Sequence, residues 1–155
     1  MRGERATRVR RVVLNATCAI SVTGSVIHAI DSRMIPHTTL FAWQEAEAVA
    51  LGVLDLGKKH WKPYARSIFD QLQRASISVQ TNIAEGYAYT NSPTFRNHLR
   101  IAYGSAIETA DLLVLLAKGG VVPAESINPL LARCRRSQAL ILGLLKRYST
   151  RPTHD

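Results

Sequence analysis

The stretch Thr81–Leu116, TNIAEGYAYTNSPTFRNHLRIAYGSAIETADLLVLL, decides the fold. It reads as the end of one helix, a short turn and the start of a long second helix. Ser92 is an N-cap residue, and Pro93 suits the first helical turn. From there Phe95, Leu99, Ala102, Ala106, Ala110, Leu113 and Ala117 recur at helical spacing and form one apolar stripe. Ile101, Leu112, Leu115 and Leu116 lie roughly 100–160° around the same helix at 100° per residue. One core needs one stripe. The second predicts contact with another copy of the chain, with Ile101, Gly104, Leu112, Leu115 and Leu116 as interface candidates. Gly104, with Ala102 and Ala106 nearby, would allow close helix approach there.

The same periodicity extends outward from this stretch. From Met34 onward no segment alternates with a period of two, and no paired runs flank an Asn-Gly turn. A first helical segment runs from about Thr39 to His60, with Trp43, Ala46, Ala50, Val53 and Gly57 at steps of three and four. A second begins at Pro63 and carries Ile68, Leu72, Ala75, Val79 and Ile83, with Gly86 placed to take a left-handed cap. The third is the one quoted; it runs to Lys118 and stops at Gly119-Gly120. The fourth opens near Pro123 and runs to Tyr148, with Ile127, Leu131, Cys134, Ile141, Leu145 and Tyr148 as its stripe. Four helices of about 30–40 Å with short connectors make an all-α, antiparallel up-down four-helix bundle.

The chain has 155 residues, enough for one domain. The divisions expected are an extension over 1–33, disordered or mis-assigned upstream of a start at Met34, then the bundle over 34–150 and a flexible tail over 151–155. The extension begins basic and continues apolar, but Asn15, Thr17, Ser21, Thr23 and Ser25 interrupt the apolar run. That disfavours both a signal peptide and a membrane span. Asn15-Ala16-Thr17 matches a glycosylation acceptor, a chance match in a cytoplasmic chain. Cys18 and Cys134 show no metal or redox spacing, so a reducing cytoplasm is the compartment expected.

Twenty basic residues against eleven acidic ones give +9, a surplus that attracts polyanions. Residues 1–33 hold six of the basic and two of the acidic residues, so the rest of the chain carries +5. The candidates for phosphate contact are Lys58, Lys59 and Lys62 at the end of the first helix and Arg96 and Arg100 at the start of the third. Arg133, Arg135, Arg136, Lys146 and Arg147 of the fourth helix join them, on the side expected to lie away from its apolar stripe. No RNA-recognition signature accompanies them, so binding without base specificity is expected.

Catalytic and cofactor chemistry has little to rest on. The five histidines are scattered without HxxxH or HExxH spacing, and no phosphate-cradling glycine loop is present. Tyr103-Gly104-Ser105 lies mid-helix and is no nucleophile turn. The best polar constellation is Arg74, Ser78, Asn82 and Glu85, on one edge of the second helix, with Ser105 and Glu108 opposite on the third. Glu85 and Glu108 as paired carboxylates would be one reading. A hydrogen-bonded strip that sets helix register is the other, and it is preferred because no His, Cys or further carboxylate completes a site. A non-enzymatic protein with no cofactor and no metal is expected.

Several blocks carry a family resemblance. Arg74-Ala75-Ser76-Ile77, Asn82-Ile83-Ala84-Glu85-Gly86, Phe95, Leu99, Ile101-Ala102-Tyr103-Gly104-Ser105 and Glu108 resemble the core of the bacterial four-helix-bundle proteins of the 23S ribosomal RNA intervening-sequence family. They are also similar to the accessory proteins of diversity-generating retroelements. The resemblance spans roughly Phe41 to Tyr148. It implies a bundle that assembles into a ring, typically a homopentamer, without enzyme activity. The retroelement relatives imply nucleic acid and a reverse transcriptase as partners, so an accessory subunit or protein scaffold is the alternative function. Tyr89 and Thr94 depart from the family pattern, which more often has a basic residue and a glutamate there; the departure changes the charge of one loop and leaves the bundle intact.

Overall fold

The computed structural model describes residues 36–149. After a 3₁₀ turn at Pro36–Thr39, four helices follow: α1 Phe41–His60, α2 Arg66–Tyr87, α3 Pro93–Lys118 and α4 Ala124–Ser149. Each packs on its neighbour in sequence and α4 closes on α1. This is the up-down bundle expected from the periodicity. The α1–α2 and α3–α4 connections share one end of the bundle, and the α2–α3 turn marks the other. The extension over 1–33, with Cys18 and the Asn15 motif, and the tail over 151–155 lie outside the described residues.

Local chemistry sets the boundaries. Ser92 Oγ accepts from Phe95 N at 3.2 Å and donates to Tyr89 O at 2.7 Å, capping α3 and tying it to the turn. Asn91 adopts the left-handed conformation at φ 71°, which asparagine tolerates better than most residues. At the far end Gly120 turns the chain with φ 66°. Val121 N then reaches back to Leu116 O at 3.0 Å, and Val122 is buried just beyond. The second segment differs in detail from its reading: Pro63–Ala65 forms a 3₁₀ turn, closed by Ala65 N to Lys62 O, before α2 begins at Arg66.

Gly86 is a correction. It takes no left-handed cap; α2 continues through it to Tyr87. Gly86 is buried where α2 crosses the start of α3. A Cβ there would stand 2.9 Å from His98 Cβ and 3.1 Å from the Phe95 ring. The missing side chain is needed for close approach, not for a turn.

The interior falls into two apolar clusters. One, near the α1–α2 connection, gathers Val53, Leu56, Phe69, Leu72, Leu113, Leu116 and Ile127 among others. The other, near the α2–α3 turn, gathers Ala46, Val79, Ile83, Phe95, Leu99 and Ile141. Ser76, Thr109 and Ser137 are the buried polar residues of the described chain. Thr109 and Ser137 line a void of about 10 Å³ together with Ala46, Val49, Val79, Ala106 and Cys134, so it borders both clusters. That is room for one water at most. Burial pushes the Cys134 thiol up to about 12, so it stays protonated and packs as a small apolar group.

Leu116 is the second correction. It is fully buried in the bundle's own core and offers nothing to another copy. Leu112 is half-buried and packs against the same cluster. The spacing accounts for this: Leu116 follows Leu113 by three and Thr109 by seven, which puts it on the inward side.

Candidate functional site

The α2–α3 seam holds the polar strip. At its centre the Ser78 and Ser105 hydroxyls meet at 2.9 Å. Toward the α2–α3 turn, Asn82 Nδ2 donates to Ser78 O at 2.9 Å, and Asn82 Oδ1 lies 3.1 Å from His98 Nδ1. Glu85 Oε2 is 3.6 Å from the same His98 nitrogen. In the other direction Gln71 Nε2 donates to Glu108 Oε1 at 2.6 Å, while Arg74 donates twice to Gln71 Oε1, at 3.2 and 2.7 Å.

All six strip residues read from the sequence therefore lie on one seam, joined by Gln71 and His98. Among the described residues, Arg74 reaches a carboxylate only through Gln71. Glu85 and Glu108 bond to different partners on opposite sides of the Ser78–Ser105 contact. Among the described residues no group of three or more His, Cys, Asp or Glu side chains gathers where a metal ion could sit.

The basic candidates separate into three places. Lys58, Lys59 and Lys62 lie at the α1–α2 connection. Arg96, Arg100, Lys146 and Arg147 lie toward the opposite end, and Arg133, Arg135 and Arg136 occupy the middle of α4. Arg133 and Arg136 stay half-exposed and both turn toward α1. Arg133 Nη1 donates to Glu45 Oε2 at 3.1 Å, and Arg136 Nε donates to Glu45 Oε1 at 3.1 Å. Burial pushes the Glu45 carboxyl up, but hydrogen bonds and charge from Arg136 and Arg133 outweigh it and hold it below its ordinary value.

Lys59 pairs with Asp55 at 2.7 Å on the surface of α1. Arg96 turns partly inward; its Nε is buried and has no hydrogen-bond partner among the described residues. Lys58, Lys62, Arg100, Lys118 and Arg135 are exposed, and no hydrogen bond or ion pair among the described residues engages them.

The outer face of the α2–α3 seam is apolar in patches. Ile77 and Ile101 are each 44% exposed and Leu115 is 50% exposed. Gly104 has open space before it. At the turn, Tyr89 lies parallel to His98 with ring centroids 6.1 Å apart, so one of its faces is already covered. No described helix is long and apolar enough to cross a membrane.

Comparison with known proteins agrees with this architecture. The model of the 23S rRNA-intervening sequence protein family matches residues 38–143. A crystal structure of a protein of unknown function from the S23 ribosomal protein family of Bacteroides thetaiotaomicron superposes with a TM-score of 0.60 at 19% identity. It covers 68% of this chain and 98% of its own. At that identity the likeness is one of fold. No curated protein matches the chain.

Proposed function

We propose, from the premise that this chain belongs to the 23S rRNA-intervening sequence protein family, that it is a non-enzymatic protein that binds nucleic acid through phosphates. It does so as an assembly of copies of itself, in the cytoplasm. One observation carries the reading. Lys58, Lys62, Arg100, Lys118 and Arg135 project from the bundle without a partner among the described residues. Of the carboxylates, Glu45, Asp55, Asp70 and Glu108 each meet a cation or an amide, while Glu47, Asp111 and Glu125 have no partner among the described residues. The five open cations outnumber these three carboxylates, which leaves a positive balance for an outside anion. It is spread over both ends and one flank, which suits a sequence-independent phosphate backbone better than a base-reading cleft.

Self-assembly is supported by the exposed Ile77, Ile101 and Leu115 beside Gly104. In an assembly each subunit adds its own charges to the common field. A ring, with five subunits as the family resemblance implies, is the form proposed. The same apolar groups favour a second reading, a scaffold whose partner is another protein such as a reverse transcriptase. Fluorescence anisotropy with unrelated RNA and DNA oligomers tests the main reading. Affinity is expected to fall steeply and linearly on a log–log plot against salt, with little difference between sequences. Absence of binding at low salt, or binding indifferent to salt, overturns it.

A further inference from the structure

The α1–α2 connection, Lys58-Lys59-His60-Trp61-Lys62-Pro63-Tyr64-Ala65-Arg66, is the place where exposed rings and exposed cations alternate. Trp61 is 47% exposed and Tyr64 77% exposed. Lys58, Lys62 and Arg66 are exposed around them. The connection is held firmly. Trp61 N reaches Gly57 O at 3.2 Å, and the Trp61 backbone then turns out of the helix at ψ 134°. Lys62 is extended, and Pro63 opens the 3₁₀ turn that seats Ala65 in the core at 1% exposure. The two rings thus ride on backbone anchored on both sides, which lowers the entropy lost when something packs on them.

The other exposed aromatic residues are placed differently. Tyr89 already stacks on His98 and has Glu85 near that same histidine. Phe41 lies in a groove between α1 and α4 lined by Leu40, Leu140 and Leu144. Among the described residues, only at the α1–α2 connection do two open rings stand among lysines without partners.

We propose that this connection is a stacking platform for single-stranded nucleic acid. Trp61 and Tyr64 receive the bases, and Lys58 and Lys62 contact the flanking phosphates. This rests on the nucleic-acid reading above and narrows it to one end of the bundle. Every base has a π-face, so stacking of this kind adds affinity without sequence preference. The neighbouring pairs Lys59–Asp55 and Arg66–Asp70 are solvent-exposed, so a phosphate can draw their cations away at small cost.

The test uses the full chain, labelled 12-mers of oligo-dT and oligo-U, inorganic polyphosphate, and vesicles of phosphatidylserine in phosphatidylcholine. Trp61→Ala with Tyr64→Ala is expected to weaken oligomer binding by about tenfold or more per ring removed. Trp61→Phe with Tyr64→Phe should stay close to wild type. Oligomers should quench tryptophan emission in the wild type and in Tyr64→Phe but not in Trp61→Phe, and polyphosphate should bind without quenching. Lys58→Ala with Lys62→Ala should lower the salt slope by roughly 0.7 per lysine. Circular dichroism of each variant checks that the bundle persists, as expected for exposed side chains.

If the alanine pair binds oligomers as tightly as wild type, the platform is wrong while the phosphate-binding function stands. If the wild type binds neither RNA nor DNA at low salt, both fail. A blue-shifted tryptophan emission with anionic vesicles but none of the oligomer effects overturns the platform in favour of a membrane surface.

Discussion

Ser78 and Ser105 meet hydroxyl to hydroxyl, 2.9 Å apart, across the seam between α2 and α3. The contact is part-buried, and Ser78 Oγ also accepts from Asn82 Nδ2 at 3.2 Å, so it is the Ser105 hydroxyl that depends on its partner. Ser78→Ala strands Ser105 and should cost about 1 kcal/mol, while Ser105→Ala leaves Ser78 bonded to Asn82 and should cost less. The double alanine variant removes both groups and should lose little more than Ser78→Ala alone. Urea denaturation of the four proteins, read as a double-mutant cycle, measures that coupling; additive losses would show the contact to be energetically idle.

The Glu45 clamp makes a pH prediction. Its carboxyl sits below the ordinary value of 4.5 because two guanidinium groups hold the ionised form. A carboxylate with a lowered folded value adds stability above the unfolded value, and that stability is lost as pH falls through the folded one. Glu45→Gln should therefore cost about 1 kcal/mol near neutral pH, as expected for a carboxylate only 21% exposed. The gap between variant and wild type should close below pH 4.5, which urea melts from pH 3 to 7 would follow.

Two glycines should respond to alanine in opposite directions. Gly86→Ala forces a Cβ to within 2.9 Å of His98 Cβ and should destabilise by about 1–3 kcal/mol. Gly143 lies within α4 with nothing near its missing side chain, so Gly143→Ala should stabilise by about 0.5–1 kcal/mol. Thermal melts of the two variants compare them directly.

Neighbouring leucines separate folding from assembly. Leu116→Ala empties a fully buried site and should cost about 2–5 kcal/mol of stability. Leu115→Glu, at a half-exposed site on the outer face, should leave the monomer folded and lower the assembled fraction. Light scattering after size-exclusion chromatography reads the mass; a wild type that elutes as a monomer at tens of micromolar would remove the self-assembly from the proposed function.

The bundle was legible because each helix carries its own punctuation and its own stripe. Ser92-Pro93 and Gly119-Gly120 bracket α3 in the sequence as they do in space. In places the core lies one position off the expected stripe: Phe69 is buried beside Ile68, Val49 beside Ala50 and Leu56 beside Gly57, because several starting residues satisfy a three-and-four spacing. Gly86 differs from its expected cap because a glycine near a helix end has two uses, and only the neighbouring helix shows which applies.

The polar strip was half legible. Steps of four, four and three marked the α2 edge, but Gln71 and His98 were missed. Gln71 precedes Ser78 by seven and His98 precedes Ser105 by seven, so both share the faces already marked. Arg133 and Arg136 could not be assigned to Glu45 without knowing that α4 closes on α1. Their spacing of three, one face of one turn, was the available sign that they act together.

The hydroxyl-bearing layer of Thr109 and Ser137 gives the interior a waist. Above and below it sit two greasy plugs, and the small side chains Ala46, Ala106 and Cys134 border the hollow between them. A bulkier residue at any of the three would fill the hollow and press one plug against the other.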